Sequence, residues 1–241
     1  MNDTLPILIT GATGGIGSAT ARLLHERGFP LFLSGRREDA LNALGEELNA
    51  PVAVADVTDE PSVATLFERA GPVRGVIHAV GSILLKPAHL TSLDEFRRTI
   101  DLNLTSAFLM VKYGVKTMQA NGGSVVLFST VATGIGLANH EAIAAAKGGI
   151  DGLVISAAAT YAGKGIRVNA VAPGLTDTPL AARITGNDAA RTASIAMHPL
   201  GRIGTPADIA SAAAWLVDPA QSWVTGQILR VDGGLSTVRA R

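Results

Sequence analysis

The 241-residue sequence predicts an α/β fold in which helices cover both faces of a doubly wound parallel β-sheet. Short runs rich in Val, Ile and Leu alternate along the chain with longer alanine- and leucine-rich stretches. The short runs are continuously apolar, which indicates strands that are covered on both faces. Strands that alternate with helices imply right-handed crossovers, and such crossovers make neighbouring strands parallel.

The predicted elements follow one another in regular order. About seven strands are expected, at residues 5–10, 29–34, 51–56, 75–80, 124–129, 166–173 and 226–231. Helices are expected near residues 15–27, 37–48, 59–69, 92–119, 139–163 and 206–217. In the first helix, Ala19, Leu23 and Leu24 recur at helical spacing. Because no repeat or Pro/Gly/Ser-rich linker divides the chain, we predict one domain over residues 1–241.

The composition argues against several classes of partner. Twenty basic and twenty acidic residues cancel, which argues against a surface for nucleic acid or anionic membrane. The chain has no cysteine, so disulfides and thiolate metal sites are excluded, and no metal is expected. The start, MNDTLPILIT, lacks signal-peptide features, and no apolar run was expected to reach the roughly 20 residues that span a bilayer. We therefore expect a cytoplasmic protein.

A glycine-rich turn follows the first predicted strand, in LITGATGGIGSATARLL. Gly11, Gly15 and Gly17 would allow a tight turn, a close approach of the backbone to a pyrophosphate, and packing of helix on strand. The helix N-terminus then offers free N–H groups to the phosphates. The turn predicts a Rossmann-like dinucleotide site, in which Thr13 and Ile16 also contact the cofactor.

The spacing Gly-x-x-x-Gly-x-Gly resembles that of the short-chain dehydrogenase/reductase family. Further segments resemble family motifs in the same order along nearly the whole chain: ADVTDE, VIHAVG, DLNLTSAF, IRVNAVAPGLTDTPL and VTGQILRVDGG. The sequence is therefore identified as a member of that family. The resemblance implies hydride transfer between a nicotinamide cofactor and a small-molecule substrate. It also implies a homotetramer or homodimer that uses the helices near 92–119 and 139–163.

The resemblance also implies which residues hold the cofactor. VIHAVG keeps the family glycine, Gly81, but His78 and Ala79 replace two asparagines, and we assign His78 to packing or cofactor contact. The other implied contacts are Asp56 and Val57 beside the adenine, Pro173 and Gly174 after the sixth strand, and Thr178 at the nicotinamide carboxamide.

The end of the second strand, FLSGRRED, predicts a preference for NADP (NADPH) over NAD. An NAD enzyme places a carboxylate here to bind the ribose 2′-hydroxyl, whereas this chain has Gly35 followed by Arg36 and Arg37. Guanidinium groups suit a 2′-phosphate through charge-assisted hydrogen bonds. The alternative is a pair of solvated arginines at a helix start.

The catalytic residues of the family are retained only in part. In the family, a tyrosine moves the proton, a lysine four residues later binds the ribose, and a serine thirteen residues before the tyrosine polarises the substrate oxygen. Lys147 matches the lysine, Thr130 stands at the serine position, and Asn103 matches the family's asparagine. The tyrosine position holds Ile143, which has no ionisable group. The sequence therefore predicts an atypical member that lacks the catalytic tyrosine.

Several proton sources remain open. His140 lies three residues before Ile143, on the same face if the helix has begun there, and imidazole titrates near neutral pH. It can equally face solvent at a helix start capped by Asn139. Water and Thr130 are the other candidates. Tyr113 and Tyr161 are assigned to packing or an interface.

Two functions follow from these residues. The first is an NADP-dependent oxidoreductase for a small apolar carbonyl, quinone or enone substrate, with a non-standard proton source. The alternative is a catalytically impaired NADP-binding protein with a sensing or interaction role. Residues 179–203 are expected to form a mobile substrate lid, which contains Arg183, Arg191 and His198 but no cluster that demands a charged substrate.

Overall fold

The protein contains one seven-stranded parallel sheet in a computed structural model that describes residues 4–239. The strands lie in the order β3-β2-β1-β4-β5-β6-β7. Their bounds are β1 Ile7–Thr10, β2 Leu31–Gly35, β3 Val52–Val54, β4 Gly75–His78, β5 Gly123–Phe128, β6 Ile166–Pro173 and β7 Ile228–Val231. The predicted fold class is confirmed. The order reverses between β1 and β4, and such a reversal opens a crevice at the carboxyl ends of the strands.

Helices cover both faces of this sheet. Their bounds are α1 Gly15–Glu26, α2 Glu38–Glu47, α3 Glu60–Ala70, α4 Leu93–Ile100, α5 Ser106–Met118, α6 Glu141–Tyr161, α7 Ala182–Thr185, α8 Asp188–Met197 and α9 Pro206–Val217. One core lies between the sheet and α3, α5 and α6. The other lies between the sheet and α1, α2 and α9.

Strand β1 shows why the sheet needs both layers. Leu8 points into the first core, whereas Ile7 and Ile9 point into the second, and all three side chains are fully buried. Because both faces of the strand are covered, its side chains are apolar except for Thr10, whose hydroxyl is hydrogen-bonded to His78. The continuous apolar runs of the sequence have this origin.

The long helix expected near 92–119 is not a regular α-helix. It is interrupted by a π-helical turn, Asp101–Thr105, between α4 and α5. The turn leaves Asn103 fully buried, with its side chain beside the end of β4. At the start of α4, Ser92 and Glu95 form a reciprocal capping box. A π-helical turn of this kind often marks a functional site.

As expected, the sequence contains no unbroken apolar run of membrane-spanning length, but one helical segment among residues 4–239 has the length and mean hydropathy of a membrane span. Residues Glu141–Lys164, which include α6, have the length and a mean hydropathy of 1.4 that would suffice. Helix α6 instead packs against β5 and β6, and its Ile150 and Val154 are buried in the first core. Its hydropathy is that of a core helix.

The expected lid region is largely helical. Residues 179–203 contain a short 3-10 turn, Pro179–Ala181, followed by α7 and α8. Asn187 caps α8 by accepting a hydrogen bond from the backbone of Ala190 at 2.9 Å. The mobility of the lid and the single-domain organisation remain predictions.

Candidate active site

The glycine-rich turn forms a cradle at the carboxyl end of β1. A Cβ atom at Gly17 would lie 2.1 Å from the carbonyl oxygen of Gly11, and Gly11 has a φ of +72°. Helix α1 begins at Gly15, and its N-cap residue, Gly14, has no side chain that could accept a hydrogen bond from the first turn. The first N–H groups of α1 are therefore left for another acceptor. This backbone fits a pyrophosphate, as the sequence predicts.

The two arginines after β2 have different environments. Arg37 donates from Nη2 to the carbonyl oxygen of Thr13 at 2.7 Å, so it braces the cradle. Arg36 is exposed and has no hydrogen-bond or ion-pair partner among residues 4–239. Asp56 accepts two hydrogen bonds from Thr58, and these bonds, with the nearby charge of Arg36, lower the pKa of its carboxyl. Arg36 is therefore the arginine that is free to bind an anion.

The remaining residues that were predicted to contact the cofactor lie after β3 and after β6. Val57 is buried after β3, beside the predicted adenine position. Pro173 ends β6, and both it and Gly174 line a cavity next to the cradle. Thr178 links the two regions, because a Cβ atom at Gly15 would lie 3.0 Å from its Cγ2.

Lys147, Asn103 and Gly81 meet at the carboxyl ends of β4 and β5. A Cβ atom at Gly81 would lie 2.9 Å from Asn103 Oδ1 and 3.4 Å from Lys147 Nζ. Asn103 Nδ2 donates to Ser82 Oγ and its Oδ1 accepts from the Ser82 backbone, at 2.9 and 3.1 Å. Lys147 Nζ donates to the carbonyl oxygen of Phe128 at 2.8 Å. The structure thus brings together the lysine and the asparagine that the sequence singled out.

Burial changes the acidity of this lysine. Only 7% of Lys147 is exposed, and burial lowers the pKa of its ammonium to about 8, although Asp151 one turn later acts in the opposite direction. A buried ammonium loses the hydration that favours its charged form. Lys147 is therefore charged at neutral pH but close to losing a proton.

Two hydroxyl groups follow Phe128 at the end of β5. Thr130 lines the cavity, and its Oγ1 accepts a long hydrogen bond of 3.4 Å from the backbone of Ala132. Its hydroxyl proton remains available to a substrate oxygen. The Ser129 hydroxyl is buried and has no hydrogen-bond partner within residues 4–239. Ser129 also lines the cavity, although no motif in the sequence assigns it a role.

The cavity above these groups has a volume of about 510 Å³. Its size suits a small organic molecule, and most of its wall is apolar. The larger apolar residues in the wall are Ile16, Val80, Ile83, Leu85, Phe128, Val131, Leu137, Ile143, Leu175, Leu180, Ile184, Met197 and Leu235. Within residues 4–239, no carboxylate lines it.

His140 and Ile143 both line the cavity from the first turn of α6. His140 is the N-cap residue itself, and it makes no side-chain capping bond. Asn139 has a φ of +63° and stands outside the helix, so the expectation that Asn139 caps it was wrong. His140 Nδ1 lies 2.7 Å from the carbonyl oxygen of Ala138, so Nδ1 carries a proton and donates it to that oxygen.

Neither tyrosine of the chain lines the cavity. Tyr113 stacks against Phe67 on the far side of α5, and its hydroxyl donates to Glu60 at 3.1 Å. Tyr161 ends α6 and packs against the first core. Both positions agree with the predicted packing roles.

His78 belongs to a buried hydrogen-bond chain that sequence reasoning did not find. Ser106 donates to the carbonyl oxygen of Leu102 at 2.7 Å, so its oxygen accepts from His78 Nε2 at 2.9 Å. His78 Nδ1 then accepts from Thr10 at 2.7 Å. Burial, with a smaller effect from Lys147, lowers the pKa of His78 to about 3. The neutral ring ties β1 and β4 to the π-helical turn that carries Asn103.

The predicted lid region, residues 179–203, contributes mainly apolar side chains and one histidine to the cavity wall. His198 is buried, and its Nδ1 lies 2.6 Å from the carbonyl oxygen of Ser194. Arg191 is paired with Asp177 at 3.0 Å, and neither it nor Arg183 lines the cavity. The lid therefore brings no guanidinium group to a substrate.

Comparisons with known proteins agree with this architecture. The family model described as "Enoyl-(Acyl carrier protein) reductase" matches residues 11–236. A cis-4-hydroxycyclohexanecarboxylate dehydrogenase from Sinomonas cyclohexanicum is 42% identical, over 96% of each chain. A 2,5-dichloro-2,5-cyclohexadiene-1,4-diol dehydrogenase from Sphingobium indicum is 34% identical, over 96% of this chain and 97% of its own.

A solved structure shows the same fold. The short-chain type dehydrogenase/reductase from Mycobacterium ulcerans has a TM-score of 0.91 and 30% identity, over 98% of this chain and 91% of its own. The similar proteins are dehydrogenases or reductases, which confirms the prediction of an enzyme. The chain therefore belongs to the short-chain dehydrogenase/reductase family, and it is an oxidoreductase.

Proposed function

We propose that the protein uses NADP(H) to interconvert a carbonyl and a secondary alcohol on a small, apolar, cyclic substrate. The observation that carries this proposal is the cavity of about 510 Å³, which is apolar except where Lys147, Thr130 and a few other polar groups enter it. The names of two similar proteins, which act on six-membered carbocycles, support a ring of this size. Quinones and enones remain candidate acceptors, because they too are flat and apolar.

Different residues of the chain would bind the cofactor and the substrate in this reaction. When bound, NADP(H) supplies or accepts a hydride. The cradle holds the pyrophosphate with backbone N–H groups, and Lys147 and Thr178 position the ribose and the carboxamide. Thr130 donates a hydrogen bond to the substrate oxygen, and the apolar wall excludes water. With Ile143 at the position of the family tyrosine, the proton comes from another source.

A panel of acceptors tests this function. Purified protein with NADPH would be given cyclohexanone, 4-oxocyclohexanecarboxylate, cyclohexenone and benzoquinone, and NADPH oxidation would be followed by absorbance. We expect turnover of at least one acceptor and its loss in Lys147→Ala. NADPH fluorescence measures binding separately. Tight NADPH binding without oxidation of any acceptor would instead favour the catalytically impaired cofactor binder.

The preference for NADP depends on Arg36. Arg36→Gln should weaken NADPH binding about 10- to 100-fold, because a hydrogen bond to a charged group contributes about 1.5–3 kcal/mol. NADH binding should change little. Arg27→Gln, at the exposed C-terminal end of α1, is the matched control. Equal weakening of NADPH and NADH by Arg36→Gln would contradict the proposed contact with a 2′-phosphate.

We also propose a cytoplasmic homotetramer or homodimer that uses α5 and α6. Phe108 on α5 and Ile155 on α6 are 51% and 58% exposed, which is unusual for large apolar side chains. Light scattering after size-exclusion chromatography would give the oligomeric state. Phe108→Glu should shift it towards the monomer, and an unchanged elution would contradict this interface.

A further inference from the structure

Three titratable side chains line the cavity within residues 4–239: His140, Lys147 and His198. His198 cannot exchange a proton with a substrate. Its Nδ1 is bound to Ser194, and its Nε2 is sealed against Gly174, where a Cβ atom would lie only 2.9 Å away. The choice of acid is therefore between His140 and Lys147.

The position of Lys147 favours it over His140. Lys147 is bound to the carbonyl oxygen of Phe128, two residues before Thr130, which lines the cavity. His140 lies seven residues earlier on α6, about 10 Å along the helix axis. Ile143 stands between the two on the same helix face and offers no hydrogen bond. Lys147 therefore lies on the β5 side of the cavity with Thr130, and His140 lies at the helix start.

The ammonium group of Lys147 also has N–H groups that are not hydrogen-bonded within residues 4–239. Phe128 accepts one of its three N–H groups, and the residues from 4 to 239 provide no other hydrogen-bond acceptor for it. The other two N–H groups are therefore available to a bound cofactor and to a water molecule. Since no carboxylate lines the cavity in this part of the chain, loss of the proton breaks no ion pair.

We propose that Lys147 is itself the proton donor in reduction and the proton acceptor in oxidation, acting through one water molecule beside Thr130. This inference rests on the proposed oxidoreductase function. In reduction, the carbonyl carbon gains the hydride of NADPH, and the electron pair of the C=O π bond moves to oxygen. The oxygen takes a proton from the water, and the water takes one from the Lys147 ammonium. Solvent returns a proton to the neutral amine after product release.

The titratable groups around Lys147 come from several elements. Asp151 lies on α6 and His140 is its N-cap residue; from β4 the neutral ring of His78 faces Lys147, and from residues 179–203 His198 lines the same cavity. Burial opposes the charge of Lys147 and lowers its pKa to about 8, whereas Asp151 raises it. Reduction needs the ammonium, so its rate should fall as the pH rises past about 8. Oxidation needs the amine and should rise over the same range.

A direct titration measures this lysine without turnover. The chain has five lysines, so protein labelled with ¹³C at lysine Cε gives few resonances, and Lys147→Arg identifies the one from Lys147. We expect its midpoint near pH 8, in agreement with the midpoint of the pH–rate profile for reduction. A midpoint above about pH 10, or a rate profile with a different midpoint, would overturn the proposal.

Two variants separate the competing acids. Lys147→Arg keeps a permanent positive charge but cannot release a proton at these pH values, so NADPH binding should change less than about 10-fold while turnover falls at least about 100-fold. His140→Gln should leave the midpoint of the rate profile in place. Lys147 is not the acid if Lys147→Arg keeps substantial turnover, or if His140→Gln removes the fall in the reduction rate near pH 8. In either case the oxidoreductase function stands. An absence of turnover in the parent protein overturns both.

Discussion

The cofactor cradle and the substrate cavity are built in different ways. The cradle is made of backbone: a few glycines within one turn bring carbonyl oxygens and N–H groups close together, and a side chain there would collide with the chain itself. The cavity is made of side chains that come from both ends of the chain, from Ile16 to Leu235. A change in the cradle should therefore weaken cofactor binding, whereas a change in the cavity should alter the rate of the reaction.

The largest effect is expected at Gly17. Gly17→Ala would place a Cβ atom 2.1 Å from the carbonyl oxygen of Gly11, so the turn must move. Overpacking of this kind costs about 3 kcal/mol, which corresponds to a loss of about 100-fold in NADPH affinity if the strain falls on the bound cradle. NADPH fluorescence titration measures it.

Gly148 on α6 provides the control for this substitution. A Cβ atom at Gly148 meets nothing within 4 Å, and the residue is exposed. Gly148→Ala should keep NADPH affinity and raise stability by up to about 1 kcal/mol, because alanine is the better helix former. If Gly17→Ala bound NADPH as well as Gly148→Ala does, the cradle would not be the phosphate site.

The same contrast explains what the sequence could predict. The cradle is local, so the spacing of Gly11, Gly15 and Gly17 suffices to locate it. The strands were predictable because covered strands are continuously apolar, as β1 shows. The predicted site residues Asn103, Thr130 and Lys147 came from resemblance, and the structure places them around one end of the sheet.

Other features depend on contacts between distant residues and left no local signal. The π-helical turn at Asp101–Thr105 has no marker in composition, and the hydrogen bonds of His78 join residues that are 68 and 28 positions apart. The burial of α6 could not be read from its hydropathy, which also suits a membrane helix. Asparagine is a common capping residue, so Asn139 is a candidate cap of α6 in the sequence, but its backbone is left-handed and His140 is the N-cap residue.

The next largest effect is expected at Ile143, inside the cavity. Ile143→Phe and Ile143→Tyr place rings of nearly equal size in the same buried position, and only the tyrosine carries a hydroxyl. The phenylalanine should displace the water beside Thr130 and lower turnover about 100-fold, since proton transfer by a positioned group contributes about 10²–10⁴-fold. The tyrosine should restore turnover, because its hydroxyl replaces that water. Steady-state rates with one cyclic ketone compare them.

NADPH affinity is the internal control for this pair. Because Ile143 lies in the cavity and not in the cradle, both variants should bind NADPH within a few-fold of the parent protein. Equal turnover of Ile143→Phe and the parent would mean that no water is needed at this position. Turnover would then depend on the shape of the cavity alone, as cofactor binding depends on the shape of the cradle.

The smallest effect concerns the buried histidine between the two regions. His78 has a pKa of about 3 in the folded protein, against about 6.5 when unfolded, so between these values the unfolded state binds the extra proton. Stability should therefore fall with decreasing pH over this window, by about 1.4 kcal/mol per unit. His78→Asn removes the titrating ring and should flatten this slope. Urea unfolding at about pH 7.5, 6 and 5 measures it.

Ser106→Ala separates titration from the loss of a hydrogen bond. It removes the acceptor of His78 Nε2 but keeps the ring, so it should lower stability by about 1 kcal/mol at every pH and preserve the slope. If His78→Asn keeps the slope of the parent, another group binds the proton on unfolding, and the ring is not the acid-sensitive link between β4 and the Asn103 turn. If the slope flattens, the ring that joins Thr10 of β1 to Ser106 of α5 also limits the stability of the fold in acid.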